Sequence, residues 1–239
     1  MRDSDRVFRP FQRRSTALRV AALASAFAVG FTAADLRSPS PTIDSGSSAE
    51  SPTPDGGIEP FGDGPAERRW GIPVGFARTE SGATAAAVGY VLSGSVLLDM
   101  APTRVPEAIT LMSAEASSTA RVAEGQAKLS GLRQVLAAGR GPTRYDQAAL
   151  AVRMEAFSDE RARVSVWSVG VLSRDGVAAP QAGWTTSTFE LVWEREDWKV
   201  WSEQITPGPT PDLNGSDPPA TSVELDTRLD GFTIWEAGR

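Results

Sequence analysis

A chain of 239 residues, 41% hydrophobic and with a net charge of −6, has room for one ordinary domain plus tethers. It contains no Cys and no His, which excludes disulfides, lipid-acceptor or nucleophilic thiols, Cys- or His-type metal sites and any Ser-His-Asp triad. Chemistry is left to carboxylates, Tyr, Arg and hydroxyls, which argues against an enzyme, and the sequence carries no cofactor-binding motif.

Six arginines (Arg2, Arg6, Arg9, Arg13, Arg14 and Arg19) precede an uncharged run from Val20 to Ala34. Residues 1–16 read as a basic cytoplasmic stub and 17–34 as a transmembrane anchor or a signal peptide. Thr32-Ala33-Ala34 resembles a cleavage site, which would release a secreted protein. The tether that follows favours the uncleaved form, a single-pass cell-membrane protein with its C-terminal part outside. Residues 35–69 are rich in Ser, Pro, Gly and acids, with almost nothing to bury, and read as a disordered linker. Residues 1–34 hold six Arg against Asp3 and Asp5, so the remainder keeps 18 basic and 28 acidic groups, net −10. That balance argues against a nucleic-acid partner.

The spacing predicts an α+β domain over 70–206, with N-terminal helices packed on a curved antiparallel sheet of four or more strands. Thr79 caps a first helix with Ala83, Ala87, Tyr90, Val91, Leu97 and Leu98 inward. Pro106 opens a second, with Ile109, Met112 and Ala116 inward. A third, from Thr119 to Ala138, aligns Val122, Leu129, Leu132 and Leu136 before Gly139. The period then changes to two: Leu150, Val152, Met154 and Ala156 face inward, Ser158–Glu160 turns into a strand at Arg161–Leu172, and a loop covers Gly176–Gly183. Strands Trp184–Trp193 and Trp198–Ser202 follow, joined by a tight turn. Residues 207–239 read as a Pro-rich tail whose apolar end either folds back or docks on a partner.

The helical first half and the "WTTSTFELVWEREDWKV" hairpin resemble the nuclear transport factor 2-like, or cystatin-like, cone-shaped fold. The opening "GIPVGFARTESGATAAAVGY" resembles an uncharacterised actinobacterial family of membrane-anchored proteins seen beside conjugation and secretion genes. These resemblances imply a non-enzymatic scaffold ectodomain with envelope or secretion-complex partners. They imply no cofactor, no metal and no catalytic residue.

Within this reading, Phe76, Arg78, Glu80 and Trp235 form a candidate interaction surface. The cone shape implies a pocket, for which Tyr90, Trp167, Trp184 and Trp193 are candidates. The alternative function is small-molecule binding, or a SnoaL-like or ketosteroid-isomerase-like enzyme, in that pocket. Acid–base work there would draw on Asp99, Asp146, Tyr90 or Tyr145.

Overall fold

A computed structural model of the chain describes residues 64–211 and 219–236. The stretches read as basic stub and membrane or signal segment (1–34), and most of the stretch read as linker, lie outside the described residues. What is described is α+β: four helices, a five-stranded antiparallel sheet and a two-stranded hairpin. The hairpin pairs β1 (Glu67–Arg69) with β2 (Ile72–Val74). Three helices follow: α1 (Glu80–Asp99), α2 (Val105–Met112) and α3 (Glu115–Leu136). The large sheet uses β3 (Arg140–Phe157), β4 (Arg161–Asp175), β5 (Ala178–Glu194), β6 (Asp197–Pro207) and, after α4 (Ser222–Arg228), the short β7 (Thr233–Ile234). Its order is β6-β5-β4-β3-β7.

Described structure starts before Trp70, inside the stretch read as linker. All three residues of β1 are exposed, so no burial pattern announces it; backbone pairing to β2 holds it in place. Gly71 and Gly75 carry the hairpin through φ of +84° and +77°, which a side chain would strain. The Thr79 hydroxyl accepts from the Gly82 amide at 2.9 Å and starts α1 as expected. All six residues expected inward on α1 are buried. At the far end, Arg133 of α3 donates to the carbonyls of Leu97, Leu98 and Met100 at 2.7, 2.9 and 2.5 Å, placing a cation at a helix end that has no basic residue of its own. Among the described residues α1 alone is long and apolar enough to cross a membrane, and more than half of that window is buried in the domain.

Ile109 and Met112 are buried, but Ala116 is exposed. The chain breaks at Ser113-Ala114, where Ala114 donates to the Val200 carbonyl at 2.9 Å, and α3 starts four residues earlier than Thr119 on a new axis. This break covers the β6 edge at Val200.

The long strands are also longer than expected. Gly176 makes a tight turn at φ +78°, so most of the predicted 176–183 loop is strand, paired to β4 from Ala178 onward. Irregularities in β3 near Leu150 and Glu155 interrupt the alternation and leave Ala156 exposed. The inner face carries Val152, Val164, Val166, Phe189, Leu191 and Val200 against α1 and α2.

The tail folds back on the outer face. Gly208 donates to the Trp184 carbonyl at 2.8 Å, the Trp167 indole donates to the Pro209 carbonyl at 3.0 Å, and Trp235 donates to the Leu150 carbonyl at 2.9 Å. Thus β7 becomes a fifth strand on the β3 edge.

Phe76–Arg78 and the β5–β6 turn meet at one buried carboxylate. Asp197, 4% exposed, accepts from the Phe76 and Trp198 amides, each at 2.9 Å, and pairs with Lys199 at 2.7 Å. Lys199 donates onward to the Leu111 carbonyl at 2.6 Å, so a single charged pair ties the lead-in loop, the hairpin and α2. The fully buried Trp198 donates its indole N–H to the Ala77 carbonyl at 2.8 Å, and Tyr90 donates to the Trp198 carbonyl at 2.5 Å. Asp197→Ala strands a largely buried ammonium and two amides, and should cost about 3–5 kcal/mol. Urea unfolding measures this; a midpoint equal to the wild type would contradict the assignment.

Candidate functional site

The inner face of the sheet changes character along its length. At the Asp197 end it is apolar. Toward the other end it presents Tyr145 and Gln147 of β3, Ser168 of β4, Thr185 and Ser187 of β5, and Glu203 of β6. Over this polar end, between α1, α3 and the sheet, lies a partly open cavity of about 290 Å³. Tyr90, Leu97, Ile109, Met112, Leu129 and Phe189 give it apolar walls.

Glu203 enters the cavity because of a bulge. Glu190 pairs with Ser202 and Leu191 with Val200, which leaves Trp201 as an extra residue on β6. Beyond it the inward positions shift from Trp198 and Val200 to Glu203 and Ile205, opposite Phe189 and Ser187. The Glu203 side chain keeps a quarter of its surface, turned into the cavity, and lies 3.6 Å from Arg121 of α3. Burial pushes its carboxyl pKa above the usual range; Arg121, Lys128 and a hydrogen bond from Ser187 only partly offset this.

The other cation on that helix face is already matched. Lys128 sits 2.5 Å from Glu124, and the lysine's hydrogen bond lowers the Glu124 pKa in spite of its partial burial. Arg121 is held more loosely, with one further bond to the Ser113 hydroxyl at 3.2 Å. On the β3 side, the Tyr145 hydroxyl and the Gln147 Oε1 are buried without a hydrogen-bond partner. Burial raises the Tyr145 phenol, and it raises the Tyr90 phenol with help from the Asp197 charge. Both phenols are therefore neutral at physiological pH.

Of the expected pocket residues, Tyr90 lines the cavity, as does Tyr145 from the acid–base set. Trp167 and Trp184 do not: they occupy the opposite face of the sheet, under the tail. Strand alternation separates Trp184 from Phe189 and Leu191, so two faces were read as one. Trp193 packs edge-on against Trp198 at 5.3 Å, beneath the Arg78 guanidinium at 5.6 Å, at the Asp197 end. Asp99 is exposed at the end of α1, and Asp146 is exposed on the outer face of β3. Among the described residues no group of three or more acidic side chains could hold a metal ion.

The expected interaction surface is dispersed. Phe76 is 2% exposed and belongs to the core. Arg78 donates to the Asp159 carbonyl at 2.7 Å, Glu80 is exposed in the first turn of α1, and Trp235 is partly buried at the β3 edge. Arg121, Gln147 and Glu203 were absent from the sequence reading. A signal for the first was available: Arg121, Gly125 and Lys128 recur at helical spacing beside the Val122–Leu129 stripe. None existed for Glu203, because the bulge reverses its face.

Since burial destabilises ionised Glu203, the folded state binds its proton more tightly than the unfolded chain does. The linked stability is complete below the unfolded carboxyl pKa, about 4.3, and is lost as pH rises through the raised folded value. Glu203→Gln should therefore melt above the wild type at pH 8 and converge with it near pH 4. A lower melting temperature for the variant at pH 8 would contradict this.

No curated protein matches the sequence. Among solved structures, the intermembrane space region of chloroplast protein ARC6 is similar over 37% of this chain and 71% of that one, at 16% identity and a TM-score of 0.27, too low to assign a shared fold. Residues 61–218, about two thirds of the chain, match the family described as Domain of unknown function (DUF8175). The matched span takes in the β1–β2 hairpin, all three large helices and the four long strands, and on that match the chain belongs to the DUF8175 family.

Proposed function

We propose that this protein is a non-enzymatic, membrane-tethered extracytoplasmic interaction protein whose domain binds a small molecule in the cavity between α3 and the sheet. The carrying observation is a partly open cavity with apolar walls, into which a loosely paired Arg121–Glu203 couple projects from α3 and β6. A loosely held guanidinium beside an apolar wall suits a small molecule with one charged end.

The basic N-terminus and the uncharged run at 17–34 support the tether and its orientation. Helices on one face of an antiparallel sheet, with a cavity between them, support the cone-shaped reading. The resemblance to anchored proteins beside conjugation and secretion genes supports a place in an envelope assembly of that kind. Glu203 favours a second reading, an acid–base enzyme in the same cavity, because a carboxyl raised by burial suits proton transfer. The two readings separate on whether a bound molecule is turned over.

The test uses the full chain in lipid nanodiscs, with ligand-observed NMR against a mixed set of neutral, acidic and basic small molecules. Ser187→Phe, which fills the cavity, serves as the blank once its melting curve shows it folded. Binding that disappears in the variant, with the molecule recovered unchanged, is expected. No binding, or binding indifferent to the variant, would overturn the proposal, and recovery of a converted product would favour the enzyme.

A further inference from the structure

The cavity carries its charge on one side, at Arg121, Glu124 and Lys128 of α3 and Glu203 of β6. Beside that charge runs the apolar wall of Leu97, Ile109, Met112, Leu129 and Phe189. A volume of about 290 Å³ sits at the small end of the ligand-pocket range.

On the charged side the four groups are unequal. Glu124 and Lys128 satisfy each other at 2.5 Å. Arg121 and Glu203, at 3.6 Å, are beyond good hydrogen-bond distance, so the guanidinium has donors to spare. Arginine's planar fork matches a carboxylate bidentately. An incoming carboxylate can therefore take Arg121, while Glu203 gives it up by protonation.

We infer that the cavity binds a small amphipathic carboxylic acid, with the carboxylate on Arg121 in place of Glu203 and the apolar body along the wall. The inference rests on the ligand-binding reading above and names the class of molecule that reading requires. The groups that face Glu203 are Arg121, Glu124 and Lys128 from α3, Tyr90 from α1, and the uncharged Ser187 and Phe189 from β5. Glu124 is held ionised by Lys128 and Tyr90 is held neutral by burial, so Glu203 is the group that titrates. Acid binding should weaken as pH rises through the raised Glu203 value, because ionised Glu203 competes for the same guanidinium.

Equilibrium dialysis of the full chain in nanodiscs, with empty nanodiscs subtracted, tests this with four water-soluble probes. These are 3-(4-hydroxyphenyl)propanoate, 3-phenylpropanoate, tyramine and 4-(3-hydroxypropyl)phenol. The hydroxylated acid should bind at least about tenfold tighter than tyramine or the neutral alcohol at pH 6, the scale of a charge-assisted contact. 3-Phenylpropanoate, which keeps the carboxylate and the apolar body, should share that preference over tyramine and the alcohol. Arg121→Gln should weaken the acid about tenfold or more, whereas Glu203→Gln should tighten it and flatten its pH dependence. Equal or tighter binding of tyramine or the alcohol, or weaker acid binding in Glu203→Gln, would overturn the acid assignment and leave the cavity reading standing. Failure of all four probes, while other molecules still bind in a Ser187→Phe-sensitive way, would overturn the ligand class alone; failure of every molecule would overturn both.

Discussion

One buried carboxylate sets the geometry on which the rest of the domain depends. Asp197 accepts from the backbone amide of Phe76, 121 residues away in sequence, and from that of the adjacent Trp198, and it pairs with Lys199. Lys199 in turn reaches the last turn of α2. A lone charge at this depth would be expensive; paired and saturated with donors, it gives three separate segments a single relative position. Trp198 fills the space beside it, and its indole and carbonyl are both bonded, to Ala77 and Tyr90. Tyr90 then passes the constraint along α1 to the cavity, whose wall it forms.

The cavity follows from what happens away from this anchor. With the helices fixed at the Asp197 end, α1 lies close against β3, so close that a β-carbon on Gly94 would fall 2.5 Å from Gln147 Oε1. Farther along, the inner sheet residues are polar or small, and α3 faces them with Arg121, Gly125 and Lys128. The Trp201 bulge adds a carboxylate to that face. Packing is complete where the anchor holds and incomplete where the sheet turns polar, which is where a ligand would find both room and a loosely held guanidinium.

Much of the architecture was legible because periodicity reports burial directly. The Thr79 cap, the inward row of α1 and the Leu129–Leu132–Leu136 stripe each follow from spacing alone. The tight turn at Arg195-Glu196 was placed by its flanking strands, although its two central residues take φ of +55° and +58° without glycine. Features that break periodicity were hidden. The exposed β1 has no pattern to read, the break at Ser113-Ala114 moved Ala116 to the surface, and the bulge at Trp201 turned Glu203 inward. For the site, Tyr90 and Tyr145 were found as residue types suited to chemistry. Arg121, Gln147 and Glu203 were missed because their role arises from helix-to-sheet placement, and Trp167 and Trp184 were assigned to a face that the tail covers.

The account's central claim is that the Asp197 node joins the lead-in loop and the β5–β6 hairpin into one cooperative unit. Hydrogen exchange at the Phe76 and Trp198 amides measures this most directly. In the wild type both should exchange only through global unfolding, at rates matching the core of β4, and in Asp197→Asn both should lose protection together. If the Trp198 amide stayed protected while Phe76 exchanged like an open loop, the two segments would be independent and the account would be wrong.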